Sequence, residues 1–134
     1  MAMDLHTIPI LVVDDSRVMR RIITKQLHTM GFVSIFEAGG VKEACRVLDK
    51  RRIGLILSDL AMPGLTGLDL LIRVRADART SHLPFLLLTA EAQVRTLVKA
   101  YRCGASQYVT KPFTAPYFKY IINKVLRETY GTKE

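Results

Sequence analysis

Residues Ile53 to Gly64 of this 134-residue chain read I-G-L-I-L-S-D-L-A-M-P-G. The segment begins with an almost continuous apolar run, which is typical of a strand covered on both faces, as in a parallel sheet. The run ends at Asp59, and the following Met-Pro-Gly interrupts regular structure. Open α/β sheets place their ligand sites at the carboxyl ends of their strands. The stretch therefore predicts a central parallel strand with a functional carboxylate at its end.

Four further strands are predicted around this one. Short apolar or β-branched runs at 8–13, 32–36, 53–58, 85–88 (ending at Thr89) and 106–110 alternate with segments of helical periodicity at about 17–30, 41–48, 65–77, 91–102 and 115–127. The fourth helix is expected to bury one apolar face, formed by Val94, Leu97, Val98 and Tyr101. The alternation predicts an α/β fold with a doubly wound, five-stranded parallel sheet and five helices.

Composition and charge narrow the class of protein. Hydrophobic residues make up 49% of the chain, which suffices for a packed core, and no apolar run is long enough to span a bilayer. The amino terminus lacks the features of a signal peptide, and Cys45 and Cys103 are expected to be reduced core residues. The formal net charge is +8, but the basic residues are spread along the chain without a nucleic-acid-binding motif. We expect a cytoplasmic monomer with acidic protein partners and no direct contact to nucleic acid or membrane.

Five chemically distinctive side chains are predicted to meet at one edge of the sheet. Parallel strands end at the same edge, so the residues that follow them share a crevice. These residues are Asp14, Asp15, Asp59, Thr89 and Lys111. Three neighbouring carboxylates repel one another, and Mg²⁺, which needs only one or two protein carboxylates, relieves this repulsion. Together with a lysine cation and a hydroxyl donor, the set predicts a site that handles a phosphoryl group.

Each of these residues also has an ordinary structural explanation. An aspartate such as Asp15 often caps a helix or hydrates a loop. Thr89 could cap the helix that follows it, and Lys111 could be a solvated surface side chain. No single residue favours the phosphoryl site. The prediction rests on the occurrence of all five residues at one predicted edge of the sheet.

At these positions the chain resembles the receiver domains of two-component response regulators. The resemblance covers about residues 9–126 and rests on four motifs, Asp14-Asp15, Asp59 to Gly64, Thr89-Ala90 and Lys111 to Phe113, each after a predicted strand. It is strongest toward the single-domain chemotaxis regulators, which share segments such as D-D-S-R-V-M-R-R-I and L-T-A-E-A. The resemblance implies a single receiver domain over residues 1–134 with no output domain. It also implies a signalling phosphoacceptor that catalyses only its own phosphorylation and dephosphorylation.

The resemblance further implies a role for each acidic residue. A partner histidine kinase would offer a phosphohistidine, and Asp59 would attack it. Mg²⁺, with Mn²⁺ as a possible substitute, would be held by Asp15 directly and by Asp14 partly through water. Asp59 and the backbone carbonyl of Ala61 would complete the protein ligands.

The resemblance assigns the remaining residues to phosphoryl binding and to a switch. Lys111, the Thr89 hydroxyl and the Ala90 amide would bind the phosphoryl oxygens. Tyr108 would turn inward once Thr89 moves, changing the surface of the fourth helix, fifth strand and fifth helix; the alternative is an ordinary strand tyrosine with a hydrated hydroxyl. The Lys111-Pro112 peptide bond is expected to be cis.

Two positions depart from the pattern of the family. Ala61 replaces the asparagine of the chemotaxis regulators, so we expect altered, slower loss of the phosphoryl group. Gly39 replaces a frequent aspartate outside the site. Neither change removes a part that the chemistry requires.

Part of this residue set also fits other functions. A phosphatase of the haloacid dehalogenase type also uses an aspartate nucleophile, but it needs a second aspartate where this chain has Ala61, and its acidic pair comes last in the chain. Within the receiver family, the downstream partner could be a flagellar motor switch component or a phosphotransfer protein of a multi-step phosphorelay. Inhibition of another kinase fits the same residues. The sequence leaves these three open.

Overall fold

The computed structural model describes residues 4–90 and 93–131. The strands are β1 (Ile10–Val13), β2 (Ile35–Ala38), β3 (Leu55–Ser58), β4 (Phe85–Thr89) and β5 (Gln107–Thr110), and a 3-10 turn at Leu5–Thr7 precedes them. The helices are α1 (Arg17–Thr29), α2 (Val41–Lys50), α3 (Gly67–Ala76), α4 (Val94–Arg102) and α5 (Ala115–Tyr130). All paired strands are parallel, in the order β2-β1-β3-β4-β5. The predicted doubly wound α/β fold is confirmed.

The core consists of two apolar clusters, one on each face of the sheet. Every residue of β1, β3 and β4 is buried. Successive side chains of β3 alternate between the clusters: Ile56 packs on the side of α2, α3 and α4, whereas Leu55 and Leu57 pack on the side of α1 and α5. Because both faces are covered, these strands are apolar throughout, as the run at residues 53–58 indicated.

Strand β2 begins three residues later than the predicted start at Phe32. The residues between the predicted and the observed start belong to the segment that leaves the C-terminal end of α1. Gly31 has a φ of 101°, and the amides of Gly31 and Phe32 donate to the carbonyls of His28 and Leu27. This pair of bonds closes the helix in a Schellman motif, which glycine permits because it has no side chain to clash. Phe32 is fully buried against the α1–α5 face, so its apolar character belongs to the helix cap and not to the sheet.

Helix α3 begins at Gly67 and not at the predicted Leu65. Thr66 is its N-cap, with a hydroxyl that accepts from the Asp69 amide at 3.2 Å. The Asp69 carboxylate accepts in return from the Thr66 amide at 2.7 Å. This reciprocal capping box satisfies two amides that the first helical turn leaves unpaired.

The predicted inward face of α4 is wrong for three of its four residues. Val94, Val98 and Tyr101 are 71%, 41% and 43% exposed. Leu97 is partly buried as expected, and the fully buried residue of the helix is Ala100. Apolar residues lie on two neighbouring faces of this helix, and the periodicity of the sequence does not determine which of the two faces packs against the core. The predicted start of the helix at Glu91 lies outside the described residues.

The structure also bears on three further predictions, which concern the cysteines, the Lys111-Pro112 peptide bond and membrane-spanning segments. Cys45 and Cys103 are free, as predicted, but they are only partly buried, at the margin of the apolar cluster beneath α2, α3 and α4. The Lys111-Pro112 peptide bond is cis. Within the described parts of the chain, the helices are too short or too polar to cross a bilayer.

Candidate functional site

Three carboxylates lie together at the carboxyl edge of the central strands. Asp14 and Asp59 directly follow the neighbouring strands β1 and β3, and the amide of Asp59 donates to the carbonyl of Val13 at 2.9 Å. One carboxylate oxygen each from Asp14, Asp15 and Asp59 lies within 4.8 Å of the other two. The structure therefore brings together the acidic residues that the sequence placed at one edge.

Lys111 points into this acidic cluster. It follows β5, and its Nζ lies 3.1 Å from Asp14 Oδ2 and 3.8 Å from Asp59 Oδ2. Its side chain is only 15% exposed. A fixed cation therefore faces two of the carboxylates, which excludes the alternative of a solvated surface lysine.

The carboxyl group of Asp59 lies in a partly desolvated, charged environment. Burial raises its pKa, because removal from water disfavours the charged form. The positive charge of Lys111 lowers the pKa, the negative charge of Asp14 raises it, and the amides of Leu60 and Ala61 lower it; the net direction is upward. An additional positive charge beside Asp59 would favour its ionised form.

The acidic cluster fits Mg²⁺ by its donors, which are carboxylate oxygens of the kind that this hard cation prefers. Both oxygens of Asp14 are already engaged, Oδ1 by the Ser16 amide at 2.9 Å and Oδ2 by Lys111. Asp15 is exposed and has no ion pair among the residues described. Direct coordination by Asp15 and partly water-mediated coordination by Asp14 stay predictions.

Thr89, Ala90 and Ala61, the other residues predicted to bind the phosphoryl group or the metal, lie at the ends of β4 and β3. Thr89 ends β4, is fully buried and pairs in register with Thr110. The amide of Lys111 donates to the Thr89 carbonyl at 2.8 Å, so the two segments are fixed side by side. Ala61 and Ala90 are both exposed, on the loops that follow β3 and β4.

Tyr108 is buried within the apolar cluster beneath α4. The residue is 8% exposed, and the same cluster contains Ala100 and, at its margin, Leu97. The ring is therefore inward in this structure. The switch by rotation of Tyr108 stays a prediction, as does the alternative of a strand tyrosine with a hydrated hydroxyl. Any rearrangement of Tyr108 would act directly on the buried side of α4.

Arg20, which the sequence analysis did not single out, supports the backbone of the acidic cluster. Its guanidinium donates to the backbone carbonyl of Asp14 and, at 2.9 Å, to the carboxylate of Glu37 on β2. The side chain is 15% exposed. Arg20 thus ties α1 to the loop that carries Asp14. Its helical position marked it only as one of several basic residues on α1.

Gly67 was also missed. Its amide donates to the carbonyl of Leu60 at 2.9 Å, and a Cβ atom added to it would lie 2.2 Å from the carbonyl oxygen of Asp59. This separation is far below any van der Waals contact, so only glycine allows α3 to start against the Asp59 loop. A single glycine near a helix start carries no signal of a tertiary approach of this kind.

Comparisons with known proteins agree with this geometry. The model of the response regulator receiver domain family matches residues 10–123. The chain is 43% identical over 122 residues to the chemotaxis protein CheY of Pseudomonas aeruginosa, covering 91% of this chain and 98% of that protein. It is 40% identical over 116 residues to the chemotaxis protein CheY-3 of Vibrio cholerae, covering 87% of this chain and 89% of the relative.

A solved structure shows the same fold. The chemotaxis protein CheY4 of Vibrio cholerae superposes with a TM-score of 0.83 at 28% identity, over 89% of this chain and 98% of that one. The family match, the relatives and the acidic edge of the sheet lead to the same assignment. This chain belongs to the response regulator receiver family and is of the CheY type.

Proposed function

We propose that this protein is a stand-alone receiver of a chemotaxis-type two-component pathway that accepts a phosphoryl group from a histidine kinase on Asp59. The observation that carries the proposal is the position of the Asp59 carboxylate beside two further carboxylates and Lys111. The names of the relatives support the chemotaxis pathway, and the match to the P. aeruginosa protein spans 98% of that protein. The free cysteines support a cytoplasmic location.

The chemistry is an in-line transfer. A carboxylate oxygen of Asp59 attacks the phosphorus of the kinase phosphohistidine, the P–N bond breaks, and its electron pair remains on the imidazole nitrogen. Lys111 neutralises charge on the phosphoryl oxygens, and the Thr89 hydroxyl and Ala90 amide donate hydrogen bonds to them. Mg²⁺ held by Asp14, Asp15, Asp59 and the Ala61 carbonyl would supply further positive charge at these oxygens. Positioning and neutralisation of this kind account for most catalysis of phosphoryl transfer.

The output would be a changed surface formed by α4, β5 and α5. Thr89 links the site to Tyr108, because the two residues lie on adjacent paired strands. Tyr108 in turn packs in the cluster that includes the buried side of α4. The outer side of α4 presents Val98 and Tyr101, which would be available to a protein partner. We propose a flagellar motor switch component as that partner.

Mass spectrometry after incubation with acetyl phosphate tests the acceptor. We expect one phosphoryl adduct that requires Mg²⁺ and that is absent from the Asp59→Asn variant. An adduct that persists in this variant would assign phosphorylation to another residue. If the folded wild-type protein gave no adduct, titration with beryllofluoride would separate dependence on a kinase from loss of the acceptor function, since only a competent site would bind it.

The residue at position 61 is expected to set the lifetime of the phosphorylated protein. Ala61 is exposed beside the acceptor, and its side chain has no polar atom with which to orient a hydrolytic water. The Ala61→Asn variant should therefore lose its phosphoryl group faster than the wild type, as measured by the decay of the adduct after removal of acetyl phosphate. Equal decay rates would show that the side chain at this position does not control hydrolysis.

A further inference from the structure

The amino-terminal edge of the sheet, opposite to Asp59, has a basic pocket that the proposed phosphoryl site does not use. The pocket lies between the end of α2 with its connection to β3 and the connection from α3 to β4. Its volume is about 610 Å³. The basic residues of its lining are Lys50, Arg51, Arg52, Arg79 and His82.

Most of this positive charge has no partner within the protein. Among the described residues, Lys50, Arg51 and Arg52 form no ion pair with a carboxylate, and Asp49, which also lines the pocket, is paired with Arg79. Like charges held around one concavity repel one another, and the repulsion is relieved when an anion binds. The pocket therefore has the electrostatic character of an anion site.

Two of the arginines are held in place before any ligand binds. The guanidinium of Arg51 lies over the ring of Phe36, 4.9 Å from its centroid. Arg79 Nη2 lies 2.9 Å from a carboxylate oxygen of Asp49 and 2.9 Å from one of Asp77. Because Arg79 is already paired with these carboxylates, phosphate binding would rest on Arg51 and its neighbour Arg52. The oriented guanidinium of Arg51 loses little side-chain entropy when it forms the paired hydrogen bonds that a phosphate accepts.

The opposite wall of the pocket is also ordered by side chains. Arg75 donates to the backbone carbonyls of Ser81 and Leu83 at 3.1 and 2.6 Å. The hydroxyl of Thr80, which is buried, donates to the carbonyl of Val74 at 2.8 Å. These bonds fix the connection between α3 and β4, so the pocket is a preformed feature of the fold.

We propose that this pocket binds a soluble phosphorylated ligand of about mononucleotide size. The guanidinium groups match phosphate geometry, and the volume lies within the range of about 300–1,000 Å³ that is typical of small-molecule sites. A concave site between two short connections favours a small ligand over a membrane or a nucleic-acid duplex. The inference does not depend on phosphorylation of Asp59.

Isothermal titration with GTP tests this proposal, and inorganic pyrophosphate serves as a second probe without a base. EDTA is included so that binding through a divalent cation at the acidic cluster is removed. We expect saturable one-to-one binding of GTP to the wild type. The Arg51→Gln/Arg52→Gln variant should bind at least about tenfold more weakly, because charge-assisted hydrogen bonds to phosphate are lost.

The Arg95→Gln/Arg102→Gln variant is the matched control. It removes the same charge from exposed positions on α4, outside the pocket. It should bind GTP within about twofold of the wild type if the pocket is the site, with folding of both variants checked by thermal denaturation. Equal weakening by both variants would show a nonspecific effect of net charge and overturn the proposal. Absence of binding at millimolar GTP, or binding only to vesicles of anionic phospholipid, would also overturn it.

Discussion

Helices α3 and α4 cover the same face of the sheet, but they are attached to it in different ways. Helix α3 buries four residues, Gly67, Leu70, Leu71 and Val74, and begins with a capping box. Helix α4 buries one residue, Ala100, and its N-cap Gln93 forms no side-chain hydrogen bond. The helix that begins against the Asp59 loop is therefore the more firmly anchored of the two.

This difference in burial and capping makes α3 a fixed support and α4 a more adaptable surface. Elements with few buried apolar contacts open locally at low free energy and are the ones that move in switching transitions. Helix α4 satisfies this condition and rests on the cluster that contains Tyr108. Helix α3, by contrast, fixes the position of Asp59. Four predictions test this contrast, beginning with the largest expected effect.

The Leu71→Ala substitution should lower the free energy of unfolding by about 2–5 kcal/mol, because a fully buried leucine is replaced by a cavity. Denaturation in urea, followed by circular dichroism, measures this change. A loss below about 1 kcal/mol would show that α3 is less firmly packed than its burial indicates.

The Thr66→Ala substitution should cost about 1 kcal/mol, because it removes the hydroxyl that caps α3. Gln93→Ala at the start of α4 is the matched control, and it should change the unfolding free energy by no more than a few tenths of a kcal/mol, since no cap bond is lost. Equal effects would remove the proposed difference in how the two helices begin.

The contribution of the α3 cap should also depend on pH. The hydrogen bonds from the Thr66 amide and hydroxyl hold the pKa of Asp69 below its ordinary value. A carboxyl group whose pKa is lower in the folded protein contributes stability above the unfolded pKa, and that stability is lost as the pH falls through the folded pKa. The stability advantage of the wild type over Asp69→Asn should thus be constant near neutral pH and shrink in acid. An advantage that grew on acidification would contradict this assignment.

A small effect is also expected at Val98, which is 41% exposed on α4. Val98→Ala should change the unfolding free energy by less than about 0.5 kcal/mol, because little buried surface is lost. The same urea titration measures it. A loss comparable to that of Leu71→Ala would mean that α4 contributes to the core as strongly as α3.

The features that could be predicted from sequence were those that depend on local pattern. The apolar runs of β1 and β3 followed from burial on both faces, and the order of the elements placed Asp14, Asp59 and Lys111 at one edge. The Thr66–Asp69 capping box was readable from the sequence as well, and recognising it would have corrected the predicted start of α3.

The features that were missed depend on contacts between distant segments. The buried stripe of α4 is selected by its neighbours, so Val94 and Tyr101 could not be distinguished from Leu97 by periodicity alone. Phe32 was predicted to begin β2, but it belongs to the C-terminal cap of α1. That cap depends on the left-handed conformation of Gly31. The ion pair between Arg20 and Glu37 likewise joins α1 to β2, which are separate segments of the chain.

The absent side chain of Gly67 limits how this domain can change through mutation. The carbonyl oxygen of Asp59 occupies the space in which any other residue would place its first side-chain atom. A descendant that replaced this glycine would have to rebuild the loop that follows Asp59 in the same step. An engineered library that varies the start of α3 should therefore hold Gly67 constant.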